Sequence, residues 1–128
     1  MSLWSHPSPH LTRLDAFRRH VNKKYGLALA TYDQLHKWST DDLESFYQEL
    51  FNFCGLVTSH APSRVADGLD KMWPRPQWFP DALLNFTENI LATGLAAHPD
   101  KIAVSACREG GTQWRELTWR QLQHEVAR

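Results

Sequence analysis

The chain has 128 residues, enough for one modest domain with its own hydrophobic core. A hydrophobic content of 42% and a charged content of 22% are ordinary for globular proteins and argue against wholesale disorder. The 14 basic residues balance the 14 acidic ones, so net charge gives no electrostatic argument for binding nucleic acid or an anionic membrane.

The cysteines and the N-terminus indicate the compartment. Cys54 and Cys107 lie far apart in the sequence and form no cluster with metal-ligand spacing, so we expect reduced thiols. Residues 1–7 lack the basic and apolar regions of a secretory signal. No run approaches the roughly 18 apolar residues of a membrane helix. The sequence therefore predicts a cytoplasmic protein without a membrane span.

The first predicted helix starts at Ser8-Pro9 and ends at Gly26, which can adopt the left-handed conformation after the last turn. Its apolar residues recur every three or four positions: Leu11, Leu14, Phe17, Val21 and Tyr25. The same region is locally basic, with Arg13, Arg18, Arg19, Lys23, Lys24 and Lys37. We interpret these cations as the solvated face of the helix.

Two further helices are predicted before residue 56. Thr31 and Gln34 resemble a capping box that opens a short helix through about Trp38. Ser39 and Thr40 offer the next cap. Three acidic residues then fall in a first turn, where the helix dipole favours negative charge: Asp41, Asp42 and Glu44. This third helix presents Leu43, Phe46, Tyr47, Leu50 and Cys54 on one face and ends at Gly55. The pattern predicts a compact helical unit.

A proline-rich aromatic segment, residues 73–91, follows a stretch at 56–70 that reads as a connection. Prolines 74, 76 and 80 exclude a helix interior or a central strand in its first half. We call this segment the strap. A helix is predicted from about Asn85 to Ala97, with Phe86, Ile90 and Leu91 facing inward, and residues 98–100 break it.

The last thirty residues predict a β-hairpin and a helix. Residues 101–107 alternate as a strand does, Gly110 and Gly111 supply a turn, and residues 113–117 return. Thr118 and Gln121 form another capping box for a helix with an apolar face. Because that helix reaches Arg128 without a cap, we expect the domain to be cut there. The predicted fold is mainly α with a β-hairpin, an α+β fragment.

Candidate site residues all have a simpler structural interpretation. Gly110-Gly111-Thr112 lacks the extended Ser/Thr/Gly pattern of a phosphate loop and is predicted to be a hairpin turn. The acidic first turn is explained by the helix dipole. Trp73 and Trp78 could stack on a ligand, but we expect them to hold the strap against the protein. The histidines show no paired ligand spacing: His6, His10, His20, His36, His60, His98 and His124.

Four segments in a fixed order resemble the N-terminal region of acyl-CoA synthetases of the adenylate-forming superfamily, and within it the acetoacetyl-CoA synthetases. They are FYQELFNFCG at 46–55, WFPDALLNFTENIL at 78–91, HPDKIAV at 98–104 and LTWRQL at 117–122. The subtype depends on Trp-Phe-Pro before Leu-Asn-Phe and on Phe-Cys-Gly. Acetyl- and propionyl-CoA synthetases are similar but differ at those places, so a fragment of that type is an alternative.

The resemblance implies ATP-dependent adenylation of a carboxylate followed by thioester formation with coenzyme A. It implies ATP, Mg²⁺ and coenzyme A for the full-length family, but none of them for this fragment. The resemblance assigns no catalytic, cofactor-binding or metal-binding residue in this sequence, since the phosphate loop and the catalytic lysine region of the family lie downstream. Residues 1–97 would form the helical extension with the strap, and 98–128 the start of an incomplete α/β adenylating domain.

Two functions of different classes follow. The chain is an inactive N-terminal fragment of an acetoacetate–CoA ligase-like enzyme, or it is a non-catalytic interaction module. Its partner would be the remainder of the adenylating domain or another synthetase chain. A third, weaker alternative is an independent helical ligand-binding domain that uses the strap.

Overall fold

The structure is a computed structural model that describes residues 4–127. Across these residues the chain forms five α-helices and two antiparallel strand pairs, which confirms the mainly α fold with a hairpin. Residue contacts divide it into two compact units. The helical unit contains the chain up to Leu56 together with Pro62–Pro80, and the hairpin unit contains Val57–Ala61 and the chain from Asp81 onward.

Helix α1, Arg13–Tyr25, starts later than the sequence predicts. Pro9–Leu11 forms a short 3-10 helix, and Thr12 then adopts an extended backbone conformation, with φ −76° and ψ 154°. The Thr12 side chain accepts a hydrogen bond from the Asp15 amide at 3.2 Å, so Thr12 is the cap and the predicted start at Ser8-Pro9 is wrong. Gly26 ends α1 with φ 65°, as predicted.

Helices α2, Tyr32–Asp41, and α3, Leu43–Cys54, meet at a single cap residue. The capping box of Thr31 and Gln34 is confirmed. The predicted cap at Ser39 and Thr40 is wrong, because both hydroxyls donate to carbonyls within the last turns of α2. Asp42 caps α3 instead, accepting from the Ser45 amide at 3.1 Å.

The core of the helical unit joins α1 and α2 through Phe17, Val21 and Leu35. Partly buried residues pack around them: Leu29, Trp38, Phe46, Leu50 and Phe53. Leu11, predicted to share this face, is 75% exposed. It belongs to the 3-10 segment before Thr12, so it does not continue the stripe of α1.

Two short strands anchor the strap in the helical unit. β1, Ala66–Asp67, pairs antiparallel with β2, Gln77–Trp78. Phe79 has φ 49° and donates its amide to the carbonyl of Val65 at 2.7 Å. The interpretation of 56–70 as connection alone is therefore incomplete, because this stretch contains β1, which pairs with a strand inside the strap.

The hairpin unit contains a strand pair and two helices. The elements are α4, Phe86–Ala97, β3, Ile102–Cys107, β4, Trp114–Thr118, and α5, Trp119–Val126. Asn85 caps α4 and the capping box of Thr118 opens α5, both as predicted.

The prediction that Phe86, Ile90 and Leu91 of α4 face inward holds only for Leu91, which is partly buried. Phe86 is 75% exposed and Ile90 is 45% exposed. The buried residue of α4 is Gly94, whose missing side chain leaves room for the Trp119 ring. None of the helices in the described part of the chain has the length and apolar character that a bilayer span requires.

Candidate functional site

Glu49, on α3, is the buried charged residue of the helical unit, with a side chain that is 1% exposed. Its Oε2 lies 2.8 Å from His20 Nε2, and its Oε1 lies 2.5 Å from Lys24 Nζ. The Tyr25 hydroxyl donates to Oε1 at 3.3 Å. All three partners come from α1, so this buried carboxylate ties α1 to α3. We call the four residues the Glu49 cluster.

The charges of the Glu49 cluster compensate each other. Burial alone would raise the pKa of Glu49, but the hydrogen bonds from Lys24 and His20 outweigh it and the pKa is lowered. The hydrogen bond to Glu49 raises the pKa of Lys24 in turn. Glu49 is therefore an anion and Lys24 a cation at neutral pH.

This geometry suits a structural role, in which Glu49 holds α1 against α3, rather than acid–base catalysis. Both oxygens of Glu49 already accept hydrogen bonds, and the side chain is 1% exposed, so a reactant has no access to it. Glu49 is not among the candidate residues predicted from the sequence. The sequence does contain a signal for it. Glu49 lies three residues after Phe46 and four before Phe53, so on a helix it falls on the same core-facing side as these apolar residues.

An apolar depression beside this cluster has a volume of about 270 Å³. We call it the α1–α3 groove. Its apolar lining consists of Leu14, Phe17, Leu35, Phe46, Leu50 and Phe53. Arg13 and Cys54 also line it. The guanidinium carbon of Arg13 lies 5.0 Å from the centre of the Phe53 ring, within range of a cation–π contact.

The strap provides packing, as the sequence predicts for one of its two candidate tryptophans. The ring of Trp78 lies 4.3 Å from that of Tyr47, and the ring of Phe79 lies 4.9 Å from that of Phe51. Trp73 is 80% exposed. Trp78 and Phe79 thus fasten the strap to α3, while the prediction that Trp73 does so is wrong.

The glycines and acidic residues weighed in the sequence have local roles. Gly110 and Gly111 take φ values of 89° and 63° in the turn between β3 and β4, which confirms a hairpin turn at this position. Asp41 pairs with Lys37 at 2.8 Å. Asp42 caps α3, and Glu44 lies in its first turn.

The histidines and cysteines are dispersed. His20 belongs to the Glu49 cluster. The ring of His6 accepts a hydrogen bond from the Ser8 amide at 3.0 Å. Cys54 and Cys107 are both free and exposed. In the part of the chain that the structure describes, no three His, Cys, Asp or Glu side chains are grouped as a metal site would require.

The hairpin unit exposes apolar side chains on its strands. Ile102 is 53% exposed, Val104 is 40% exposed and Trp114 is 64% exposed. Ile102 is paired with Thr118, and Thr118 and Trp114 are alternate residues of β4, so Ile102 and Trp114 lie on one side of the strand pair, whereas Val104, paired with Leu117, lies on the other. We call Ile102 and Trp114 the hairpin face. In the same unit a groove of about 210 Å³ between α4 and α5 is lined mainly by apolar residues.

Comparison with known proteins gives concordant matches. Residues 32–90 match the family described as acetyl-coenzyme A synthetase N-terminus. The chain is 41% identical over 128 residues to a malonamoyl-CoA synthetase of Penicillium aethiopicum and 34% identical over 125 residues to an acetoacetyl-CoA synthetase of Danio rerio. Each alignment covers 98% of this chain and 18% of the relative.

A solved structure gives the same match in three dimensions. The acetoacetyl-CoA synthetase from Streptomyces lividans is similar to this chain with a TM-score of 0.78 and 28% sequence identity. The similarity covers 92% of this chain and 18% of that structure. The chain therefore spans about a fifth of the length of the proteins it matches.

Proposed function

Because this chain carries, in sequence and in fold, the N-terminal region of acetoacetyl-CoA synthetases, we propose that it acts as that region of an acetoacetate–CoA ligase-like enzyme. The parent reaction joins a carboxylate to AMP with release of pyrophosphate and then transfers the acyl group to coenzyme A. The observation that carries the proposal is the coverage, 98% of this chain against 18% of its relatives. Its role is to support the adenylating domain, and the chain alone is inactive.

The described residues support an inactive chain. The carboxylate oxygens of the buried Glu49 already form hydrogen bonds with three side chains of α1. Gly110 and Gly111 form a hairpin turn rather than a phosphate cradle. We propose that ATP, Mg²⁺ and coenzyme A bind to the regions that the full-length relatives carry beyond the one matched here.

The acyl substrate is proposed from the relatives. Vertebrate relatives named acetoacetyl-CoA synthetase match over 98% of this chain, which supports acetoacetate. The malonamoyl-CoA synthetase relative, at 41% identity, supports a related short oxo- or amido-acid. The two free cysteines support the expected cytoplasmic location, where thiols stay reduced.

The hairpin face is the surface through which we propose that the remainder of the adenylating domain docks. Its apolar residues lie at the start of β3 and in β4, and burying them in a partner would remove apolar surface from water. The second candidate function, a separate interaction module that binds a complete synthetase, uses the same face. The two candidates differ in which partner the chain recognises.

The first experiment measures pyrophosphate release by the purified chain with ATP, acetoacetate and coenzyme A. The expected rate equals that of a buffer blank, because the resemblance places the phosphate loop and the catalytic lysine region downstream of the part that this chain matches. A rate that depends on both acetoacetate and coenzyme A would contradict the proposal.

The second experiment is complementation. An acetoacetyl-CoA synthetase lacking its corresponding N-terminal region is mixed with this chain, and the recovery of activity is measured. Trp114→Lys should weaken recovery, whereas Arg115→Gln, at the adjacent and oppositely directed position of β4, should leave it unchanged. Binding only to the full-length synthetase, with no recovery of the shortened one, would instead favour the interaction module.

A further inference from the structure

We propose that the α1–α3 groove is a binding site for a small amphipathic carboxylate, with its apolar tail among the aromatic side chains and its anionic head at Arg13. The site lies wholly within the helical unit and does not depend on the proposed ligase function. Three features carry the inference: the apolar lining, a cation placed at its rim, and the position of that cation at a helix N-terminus.

The lining fits an apolar tail. Phe17 and Leu35 are each 4% exposed, so they form a floor that belongs to the core. Phe46 and Leu50 are partly buried residues packed against that core. A dry cavity of about 150 Å³ lined by such residues takes up benzene. The groove, at about 270 Å³, therefore has room for a short aliphatic chain or one aromatic ring.

The rim fits an anionic head. Arg13 is the first residue of α1, and a cation at a helix N-terminus is opposed by the helix dipole. Asp15, the carboxylate in the first turn of α1, is held by Arg18 at 2.6 Å and by Arg19 at 3.2 Å. Within residues 4–127, Arg13 is in a cation–π contact with Phe53 and in no ion pair with a carboxylate. An anion here would offset both the guanidinium charge and the positive end of the helix.

A carboxylate fits this arrangement better than other anions. The planar guanidinium presents a fork of donors that matches the two oxygens of a carboxylate. A phosphate would bring a larger hydration shell to an apolar rim, where its desolvation is costly. An ammonium head would be repelled by Arg13. The site should therefore distinguish ligands by the sign of the charge on their head group, which the test measures.

Cys54 supplies the readout, because it lines the groove and is exposed. Cys107, an exposed thiol on β3, is an internal control on the same chain. The alkylation rate of each thiol is measured by mass spectrometry on the full chain. The probes are hexanoate, hexanol and hexylamine, which share a tail and differ in charge.

Hexanoate should slow alkylation of Cys54 at least about fivefold at saturation and leave Cys107 unchanged. Hexanol should protect Cys54 only at about tenfold higher concentration, since a charge-assisted hydrogen bond is worth about a factor of ten or more. Hexylamine should not protect. Equal protection of both thiols, equal protection by hexylamine, or no protection by hexanoate would each overturn the site.

Two surface variants separate the role of Arg13 from general basicity. Arg13→Gln should remove most of the advantage of hexanoate over hexanol, while Arg19→Gln, an exposed arginine outside the lining, should preserve it. Equal effects of the two variants would overturn the assignment of the head group. Cys54 reactivity that falls with protein concentration before any ligand is added would show that a second copy covers the groove, and would overturn it as well.

Discussion

At the scale of single residues, Glu49 has the largest structural consequence in the helical unit. A buried carboxylate without partners would be strongly unfavourable, and here three groups on α1 satisfy it. Among the described residues, no buried polar side-chain atom lacks a hydrogen-bond partner. The cluster therefore specifies which face of α1 meets α3, because a rotated α1 would leave Glu49 unpaired.

Glu49→Gln should destabilise the chain by about 2 kcal/mol. The amide cannot accept at both of its ends, so Lys24 or His20 loses its acceptor. The loss stays below that of a fully buried pair because Lys24 is 48% exposed and can regain water. Urea unfolding measures the difference. The matched control is Glu44→Gln in the first turn of α3, expected to change stability by at most about 0.5 kcal/mol. Equal effects of the two variants would contradict a special role for Glu49.

The stabilisation by Glu49 should depend on pH in one direction at the acidic end. The pKa of Glu49 in the folded state is lowered from an unfolded value of about 4.3. The stabilisation by Glu49 is therefore complete above that pH and is lost as the pH falls through the folded pKa. The folded pKa of Lys24 is raised, so its contribution is complete below about pH 10.4 and is lost as pH rises further.

The measurement is the difference in unfolding free energy between the unmodified chain and Glu49→Gln from about pH 7 to pH 2.5. Other carboxylates titrate in both proteins and cancel. The difference should stay constant down to about pH 5 and shrink below about pH 4. A difference that remains constant to the lowest pH would show that the charge of Glu49 does not contribute.

At the scale of elements, the helices combine predictable ends with unpredicted faces. Capping boxes at Thr31 and Thr118 and a glycine ending at Gly55 follow from local backbone chemistry. The closest approach of α4 to α5 does not follow from the apolar pattern of α4, because it is made by Gly94, while Phe86, Ile90 and Leu91 line the open groove between the two helices. A glycine lets the Trp119 ring approach the helix backbone of α4 closely.

Gly94→Ala should destabilise the packing of α4 against α5. The added Cβ would lie 2.1 Å from Trp119 Cδ2, so the ring has to move. We expect a net loss of about 2 kcal/mol, despite a gain of about 1 kcal/mol in helix propensity. Hydrogen exchange of the α5 amides measures it. Thr93→Ala, at an exposed position of the same helix, is the control and should be neutral or slightly stabilising. Slower exchange in Gly94→Ala would contradict the close contact.

At the scale of the whole molecule, the structure consists of two units with different surfaces. The helical unit has a small core, stiffened by the Glu49 cluster. The hairpin unit buries Gly94 against Trp119 but exposes the hairpin face. Apolar residues left in contact with water favour association with another surface.

The isolated chain should therefore associate with itself in a concentration-dependent way. Light scattering coupled to size-exclusion chromatography over a hundredfold range of concentration measures the mass. Trp114→Lys should reduce the association and Arg115→Gln should not. A chain that stays monomeric throughout the range would argue against the hairpin face as a docking surface.

The sequence alone was sufficient to predict the succession of elements and many of their ends. Residues such as Gly26, Thr31, Asn85 and Thr118 act on backbone groups within a few positions of themselves, so their effect can be derived without knowing the fold. The resemblance to acyl-CoA synthetases likewise depends on short segments in order, and the matches to known proteins bear it out.

Tertiary structure alone decided which side chains are buried and which of them meet. Glu49 is 29 residues from His20 and 25 from Lys24, and no local rule selects those partners from the several cations of α1. The pairing of Phe79 with Val65 and the contact of Gly94 with Trp119 likewise join distant positions. The physical reason is that burial depends on how whole helices pack, whereas caps and turns depend on hydrogen bonds between near neighbours.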